Sequence, residues 1–416
     1  MPIRILAEAA LVAAACLAAP TVSALAGEWA GTVETRNGVP HVMNPADPAH
    51  PPATLELEEL WRLGGNTDSD EEFFGVVNDV VVDDAGDVYI LDSQLSEIKV
   101  YDSDGAYLRT IGREGEGPGE FRRPRAIFET AGGEIAVLQL MPGRIVLLTK
   151  EGDPAGEFEL PELEGGGRRM LQAGDAAGDL AVVLAMDMRM GSGEATSNTV
   201  LAGYGPGGEE VVRYFAKEHT TKFANPTFDE REAGVIPWAA GSQGHVATAP
   251  VFGEYEIHVW GPDRSLSHVI HREFEHLRRT DREIERAKAR FVIRGPTEIK
   301  KIVSDHHPDV GEMFLRPDGG LWVRTSRGTS DPEAGTLGTF DVFDPEGRFV
   351  RQVSLVGEGD TGEDGYLVIG DRMYVLRHLN SASRAMFGDG EEGAVEEDEE
   401  LEPMEVVCYR LPAAGI

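Results

Sequence analysis

Residues 96–111 read SEIKVYDSDGAYLRTI, and residues 255–270 read YEIHVWGPDRSLSHVI. Aligned without a gap, they share Glu, Ile, Val, an aromatic, an Asp and a terminal Ile. Residues 340–355, FDVFDPEGRFVRQVSL, repeat the pattern, and Arg144–Leu160 follows it loosely. Each stretch is an alternating apolar run, a turn of Asp, Pro and Gly, and a second alternating run. Period-two alternation puts one face inward, and the turn residues close a hairpin.

A second hairpin precedes each of these. Its turns are Asp83–Asp87, Thr130–Gly133, Ala176–Asp179, Gly241–Gly244, Arg316–Gly320 and Ile369–Arg372. They lead into short apolar runs such as Val88–Leu91, Glu134–Leu138, Leu180–Leu184 and Leu321–Thr325. The glycines at 86, 132 and 178 are spaced 46 residues apart, twice, and Gly244 and Gly319 come later because material is inserted. A period of 40–50 residues with four strands per unit is the signature of a propeller, and six turns mean six blades. The 416 residues would suggest two or three domains by length alone, but they divide into repeats rather than into cores. The 50 Gly and 24 Pro fit a turn-rich all-β chain. The expected architecture is therefore a single six-bladed β-propeller over residues 54–412, preceded by an extended segment at 27–53. The last unit ends at Val406–Leu411 one strand short, while Thr54–Leu63 is surplus before the first. Thr54–Leu63 is expected to close the last blade and so leave no open sheet edge.

Gly112–Pro124, reading GREGEGPGEFRRP, follows the hairpin that ends at Ile111. It resembles the linker between blades of NHL-repeat propellers, and residues 83–111 resemble one such repeat. The match is good over residues 76–127 and fades beyond. The whole chain is similar to secreted six-bladed propeller proteins of bacteria, most without an assigned function. The resemblance implies fold rather than activity. Some NHL-type lyases hold a metal in the central channel through His from several blades, and here His307 alone stands at a matching place.

The apolar stretch Leu11–Ala26 ends in Ala24-Leu25-Ala26, which suits cleavage of a signal peptide spanning residues 1–26. The alternative is a lipoprotein, anchored through Cys16 after Ala13-Ala14-Ala15. Either way the protein is expected to be exported, periplasmic or extracellular. Cleavage leaves Cys408 as the one cysteine, which forms no intrachain disulfide and is expected as a small buried apolar group. No other segment is apolar enough to span a bilayer.

With 38 Lys and Arg against 73 Asp and Glu, the formal charge is −35. A polyanion is repelled by nucleic acid and by anionic membrane surfaces. Nine acids and no base lie in Asp389–Glu402, DGEEGAVEEDEELE, expected as a solvated, disordered loop. By contrast, Arg272–Lys301 holds ten basic and six acidic residues. This basic island falls in an insertion at 272–305, between blades four and five. There Thr280-Asp281-Arg282-Glu283 is a capping box, and Ile284, Ala287 and Phe291 mark one face of a helix of about 12–14 residues. Gly295-Pro296 should end it, and a shorter helix is expected from Thr297 to Val303. Arg278, Arg279 and Arg282 are its candidate anion-binding residues.

Inner-strand starts and top-face loops line a propeller's channel. The candidate ligand-binding residues at its mouth are Asn78, Asp79, Arg125, Arg169, Trp238, His307 and Asp364, a funnel of mixed charge. Other motifs fail on context. Gly115–Gly119 lacks the Gly-Lys-Ser/Thr of a phosphate loop, Gly191-Ser192-Gly193 is no nucleophile elbow, and Asp102–Gly105 is explained as a turn. The leading expectation is a monomeric, non-enzymatic module without cofactor, binding a small molecule, glycan or envelope protein. The alternatives are a lyase or lactonase using one divalent metal near His307 and Asp79, and a structural envelope component.

Overall fold

The computed structural model describes residues 27–163, 165–233, 236–290, 299–330, 335–387 and 402–412. The leader at 1–26 with Cys16, the acidic run apart from Glu402, Phe291 and Gly295-Pro296 lie outside these residues.

Four strands come before the first blade: β1 (Thr32–Arg36), β2 (Val39–Asn44), β3 (Ala53–Glu56) and β4 (Glu58–Gly64). Blade one is β5 (Val77–Val82), β6 (Val88–Asp92), β7 (Glu97–Tyr101) and β8 (Tyr107–Ile111). Blade two is β9 (Pro124–Glu129), β10 (Ile135–Gln139), β11 (Arg144–Leu148) and β12 (Pro154–Glu157). Blade three is β13 (Arg168–Ala177), β14 (Leu180–Met190), β15 (Glu194–Tyr204) and β16 (Glu210–Lys222). After β17 (Thr227–Asp229) and the one-turn α1 (Glu230–Ala233), blade four is β18 (Trp238–Ala240), β19 (Val246–Thr248), β20 (Glu256–Trp260) and β21 (Leu266–Arg272). The insertion supplies α2 (Asp281–Arg290) and β22 (Lys300–Ile302). Blade five is β23 (Val310–Leu315), β24 (Leu321–Thr325), β25 (Thr336–Phe343) and β26 (Phe349–Val356), with α3 (Ser326–Ser330) between its second and third strands. Blade six is β27 (Gly365–Ile369), β28 (Arg372–Arg377) and, after α4 (Leu379–Phe387), β29 (Glu405–Arg410).

The turn from inner to second strand carries a left-handed glycine in all six blades: Gly86, Gly133, Gly178, Gly244, Gly319 and Gly370. In the second turn the residue is Gly133, one after the glycine that marks the sequence spacing. The φ values run from 60° to 89°, where a Cβ would be strained, so the periodic glycine is a backbone requirement. Apolar clusters lie between neighbouring blades. Tyr89, Leu91, Ile127, Ile135 and Val137, for example, join blades one and two and are fully buried. Blade one also shows why Asp follows its second strand. The buried Asp92 accepts hydrogen bonds from the amides of Gly75, Gln94 and Leu95 at 2.6–2.9 Å. Cys408 is buried in β29.

Three expectations need correction. First, Thr54–Leu63 is two strands. Glu58–Gly64 pairs antiparallel with β29 as the fourth strand of blade six, whereas Ala53–Glu56 runs parallel to β26 as a fifth strand of blade five. Leu57 donates its amide to Val356, so the chain crosses from one blade to the next at that residue. Second, residues 27–53 are more than an extended segment. β1 and β2 form a hairpin around Asn37-Gly38, both at positive φ, the two-residue turn that matches strand twist. β2 then pairs parallel with β21, which widens blade four to six strands. Third, of the helix expected at Thr297–Val303, Thr297 lies outside the described residues and Lys300–Ile302 is instead the strand β22, which pairs in parallel with β17 and joins the linkers on either side of blade four. The ten-residue α2 does carry the capping box, with Thr280 and Glu283 bonded reciprocally at 2.7 and 3.3 Å.

Candidate functional site

The inner strands β5, β9, β13 and β23 share an irregularity: each pairs with its second strand through a register shift, at Asn78, Arg125, Gln172 and Gly311 respectively. A bulge at the mouth of a ring re-aims the side chains beside it. Next to the first bulge, the Asp79 carboxylate accepts the amides of Val80 at 2.9 Å and of Ile127, in blade two, at 3.0 Å. Asp79 thus staples two inner strands together. Burial pushes its carboxyl up to about 8, helped by the nearby charge of Asp175. Asp175 on β13 is itself pushed up to about 7 by burial. Burial lowers the half-buried Arg125.

These two acids set a pH prediction. Their folded-state pKa values lie above those of the unfolded chain, so between about pH 4 and 8 the native state holds more protons. Their contribution to stability is then present at low pH and lost as pH rises through 7–8. Asp79→Asn loses one of two amide acceptors at every pH, but its melting temperature relative to the parent should rise from about pH 4 to 8 and level off above. A difference independent of pH would contradict the assignment.

The other candidates at the mouth are tied into the scaffold. Arg169 pairs with Asp187 across β13 and β14 at 2.8 and 3.1 Å and donates to the Pro161 carbonyl. Trp238 starts β18 and packs on the Leu184, Tyr214 and Ile236 cluster. Asp364 is buried, accepts the amides of Asp360 and His378, and faces Arg377 at 3.1 Å. His307 reaches Glu283 of α2 at 3.3 Å, whereas Asp79 is held by amides of blades one and two. The structure gives no contact between His307 and Asp79. On the basic island, Arg279 forms a two-pronged pair with Glu230 at 2.7 and 2.8 Å, and Glu230 also takes the Ser304 amide. Arg278 and Arg282 are exposed.

A cleft of about 680 Å³ opens at blade four instead. Its walls are the N-terminal hairpin (30–32 and 43–45), the β19–β20 loop (253–256), the end of β21 with its continuation (271–276), and Asp309 before β23. Its frame is built from three polar anchors. Asn44 is buried with both ends of its amide in use: Oδ1 accepts from the Trp29 indole at 2.8 Å and the Phe349 amide at 2.7 Å, and Nδ2 donates to the His271 and Gly347 carbonyls at 3.0 Å. Arg272 pairs with the buried Asp341 at 2.6 Å, donates to the Ala46 carbonyl at 2.9 Å, and lies 4.3 Å over the Phe349 ring. Tyr255 donates its hydroxyl to the same Asp341 at 2.8 Å. These bonds join the N-terminal segment to blades four and five.

Within that frame, His276 Nδ1 lies 2.9–3.0 Å from both oxygens of Asp309, which is almost fully buried while the His276 ring is half exposed. A buried carboxylate fixes an imidazole's orientation and leaves its other nitrogen available. Along the sheet, His41 and His271 meet at 2.8 Å, and Glu256 bonds His258 at 2.8 Å and approaches His271 at 3.7 Å. The His258 bond, first, and the charges of His271 and His41 hold Glu256 low. Burial lowers His271. The lining carries four carboxylates, Glu254, Glu256, Glu273 and Asp309. Its single arginine is already neutralised by Asp341, so the cleft is electronegative. Sequence reading missed the cleft. The alternation Glu256-Ile257-His258, which puts both polar side chains on one sheet face, was the available signal.

Residues 67–163 match a family model described as a 6-bladed beta-propeller. No curated relative matches. Among solved structures, an exported protein of Bacteroides fragilis is similar at 13% identity, covering 86% of this chain and 99% of that one, with a TM-score of 0.47. A DUF4221 family member from Bacteroides vulgatus is similar at 9% identity, with 86% and 98% covered and a TM-score of 0.45. Virginiamycin B lyase from Staphylococcus aureus is similar at 10% identity, with 85% and 99% covered and a TM-score of 0.41. The propeller has no helix among the described residues long and apolar enough to cross a membrane.

Proposed function

We propose that this propeller is an exported, non-enzymatic binding module that takes a small organic cation in the blade-four cleft. The observation that carries the reading is the cleft's combination of size and charge. At about 680 Å³ it has the volume of a small-molecule site. Its four carboxylates face no uncommitted cation on the cleft's own walls, while Tyr255, Phe274 and Pro45 supply apolar and aromatic contact. Aromatic faces add to the attraction for a cation. Glu254 and Glu273 are exposed at the rim, where they can meet an amine without strain.

Titration with spermidine, and with citrate as the anionic control, tests the proposal. Spermidine should bind and citrate should not. The double variant Glu254→Gln, Glu273→Gln should weaken spermidine about tenfold, since exposed charge pairs contribute up to about 1 kcal/mol each. Raising salt should weaken the parent more than the variant. Equal binding of both probes, or a double variant indistinguishable from the parent, would overturn it.

A second reading, general-base chemistry in the same cleft, is favoured by the His276–Asp309 pair. It predicts turnover that His276→Ala abolishes while cation binding survives.

A further inference from the structure

Blade three departs from its neighbours. Its strands run to 10, 11, 11 and 13 residues, against 4 to 6 in blades one and two. At about 3.3 Å per residue the excess makes an arm of roughly 15–20 Å. The arm rises where β14 turns into β15, on the face where the inner strands begin.

The two faces of this arm are chemically unlike. Residues directly opposite in antiparallel strands share a face. On one face the rows are Arg169, Asp187, Asn198 and Glu218, and then Arg189, Thr196 and Thr220, a polar surface tied by the Arg169–Asp187 pair. On the other, Met170 lies opposite Met186, Met188 lies between Arg168 and Ser197, and Met190 lies opposite Ala195. The run Met186-Asp187-Met188-Arg189-Met190 alternates so that all three thioethers stand in one file. Four of the protein's 11 methionines therefore share one face of one arm. Met190 is 72% exposed, and the other three are half-buried. The basic groups on this face are Arg168, which is exposed, Lys217, which is engaged by the Arg231 carbonyl and Glu232 at 2.9 and 3.1 Å, and His219, which lies opposite Ser197 in the Met188 row.

Packing alone does not call for sulfur here, since Leu or Val fills a sheet face with less lost entropy. A thioether differs from them in being a soft, neutral donor, and soft donors select monovalent copper over harder cations. Cross-strand Cβ atoms about 5 Å apart, and diagonal ones about 7–8 Å apart, are within reach of flexible Met side chains converging on one ion. We propose that this methionine face binds a soft monovalent metal ion, Cu(I), through Met170, Met186 and Met188, with Met190 at the rim.

The test is anaerobic titration of the full chain with Cu(I) against a chromophoric chelator. The parent should withdraw one equivalent. The triple variant Met170→Leu, Met186→Leu, Met188→Leu should lose on the order of a hundredfold in affinity or more, since even changes beyond the direct ligands of metal sites cost 10–100-fold. Met141→Leu, at an exposed methionine of blade two, should match the parent. A second measurement needs no variant: with methyl-labelled methionine, Ag(I) should shift the signals of Met170, Met186 and Met188 and leave Met141 in place. Failure of the parent to compete, equal binding by the triple variant, or shifts confined to other methionines would each overturn the proposal.

Discussion

Replacing Arg272 with Met should cost the fold about 3–5 kcal/mol, the range for removing one partner of a buried ion pair. Its side chain is 8% exposed and that of Asp341 2%, so the charge left behind has no access to water. Burial already raises Asp341, and the Arg272 charge is the largest opposing influence. Without it the carboxyl must take up a proton or remain buried and ionised. Tyr255 and Gln352 still bond Asp341, at 2.8 and 2.9 Å, which limits the damage without supplying charge. The same guanidinium holds Ala46 and stacks on Phe349, so the N-terminal segment should loosen from the cleft as well. Thermal unfolding checks the cost. Adding Asp341→Asn to the Met variant should recover part of it, because the amide needs no counter-charge, its oxygen can still accept from Gln352, and its N–H can donate to the Tyr255 hydroxyl oxygen. A single Arg272 variant as stable as the parent, or a double variant no better than the single, would contradict this account.

Truncating the chain before residue 65 should abolish a single cooperative melting transition. β29 is the third strand of blade six, with Val406, Val407 and Cys408 fully buried, and β4 covers its edge in an antiparallel register from Glu405–Gly64 to Arg410–Glu58. Removing β4 exposes that edge and strips Trp61 and Leu63 from the cluster joining blades six and one. Trp61 also donates its indole N–H to the Ser103 carbonyl of blade one at 3.2 Å, across the seam. In the intact chain Trp61→Ala should cost about 3–5 kcal/mol, as large-to-small core changes do. Calorimetry distinguishes the outcomes: a truncated protein with the parent's transition would show that the ring does not depend on this strand.

The blades were legible because a blade is local. Its hairpins are short, its strands alternate, and its first turn needs a glycine at positive φ, so each unit marks itself every 40–50 residues. The strands that leave their own unit were harder. Thr54–Leu63 reads as one alternating run, and only its partners, β26 in blade five and β29 in blade six, divide it at Leu57. The Asn37-Gly38 turn was a local hairpin signal passed over within a segment read as extended. Lys300–Ile302 is a strand because Thr227–Asp229, some 70 residues earlier, offers it an edge.

The candidate site was less legible for the same reason. Asp79, Asp175 and Arg125 could be placed from strand position, although Asp175 was passed over. The cleft brings together residues 30–45, 253–276 and 309. Their meeting depends on the parallel pairing of β2 with β21, which no local pattern encodes. His307 and Asp364 looked available as isolated polar residues, but their partners, Glu283 and Arg377, are set by the fold.

Hydrogen exchange with and without spermidine tests the central claim most directly. The account predicts protection confined to the backbone around residues 30–32, 43–45, 253–256 and 271–276, and its loss in the Glu254→Gln, Glu273→Gln variant. Protection centred on the inner strands around Asp79, Arg125 and Asp175, or none at all, would contradict it.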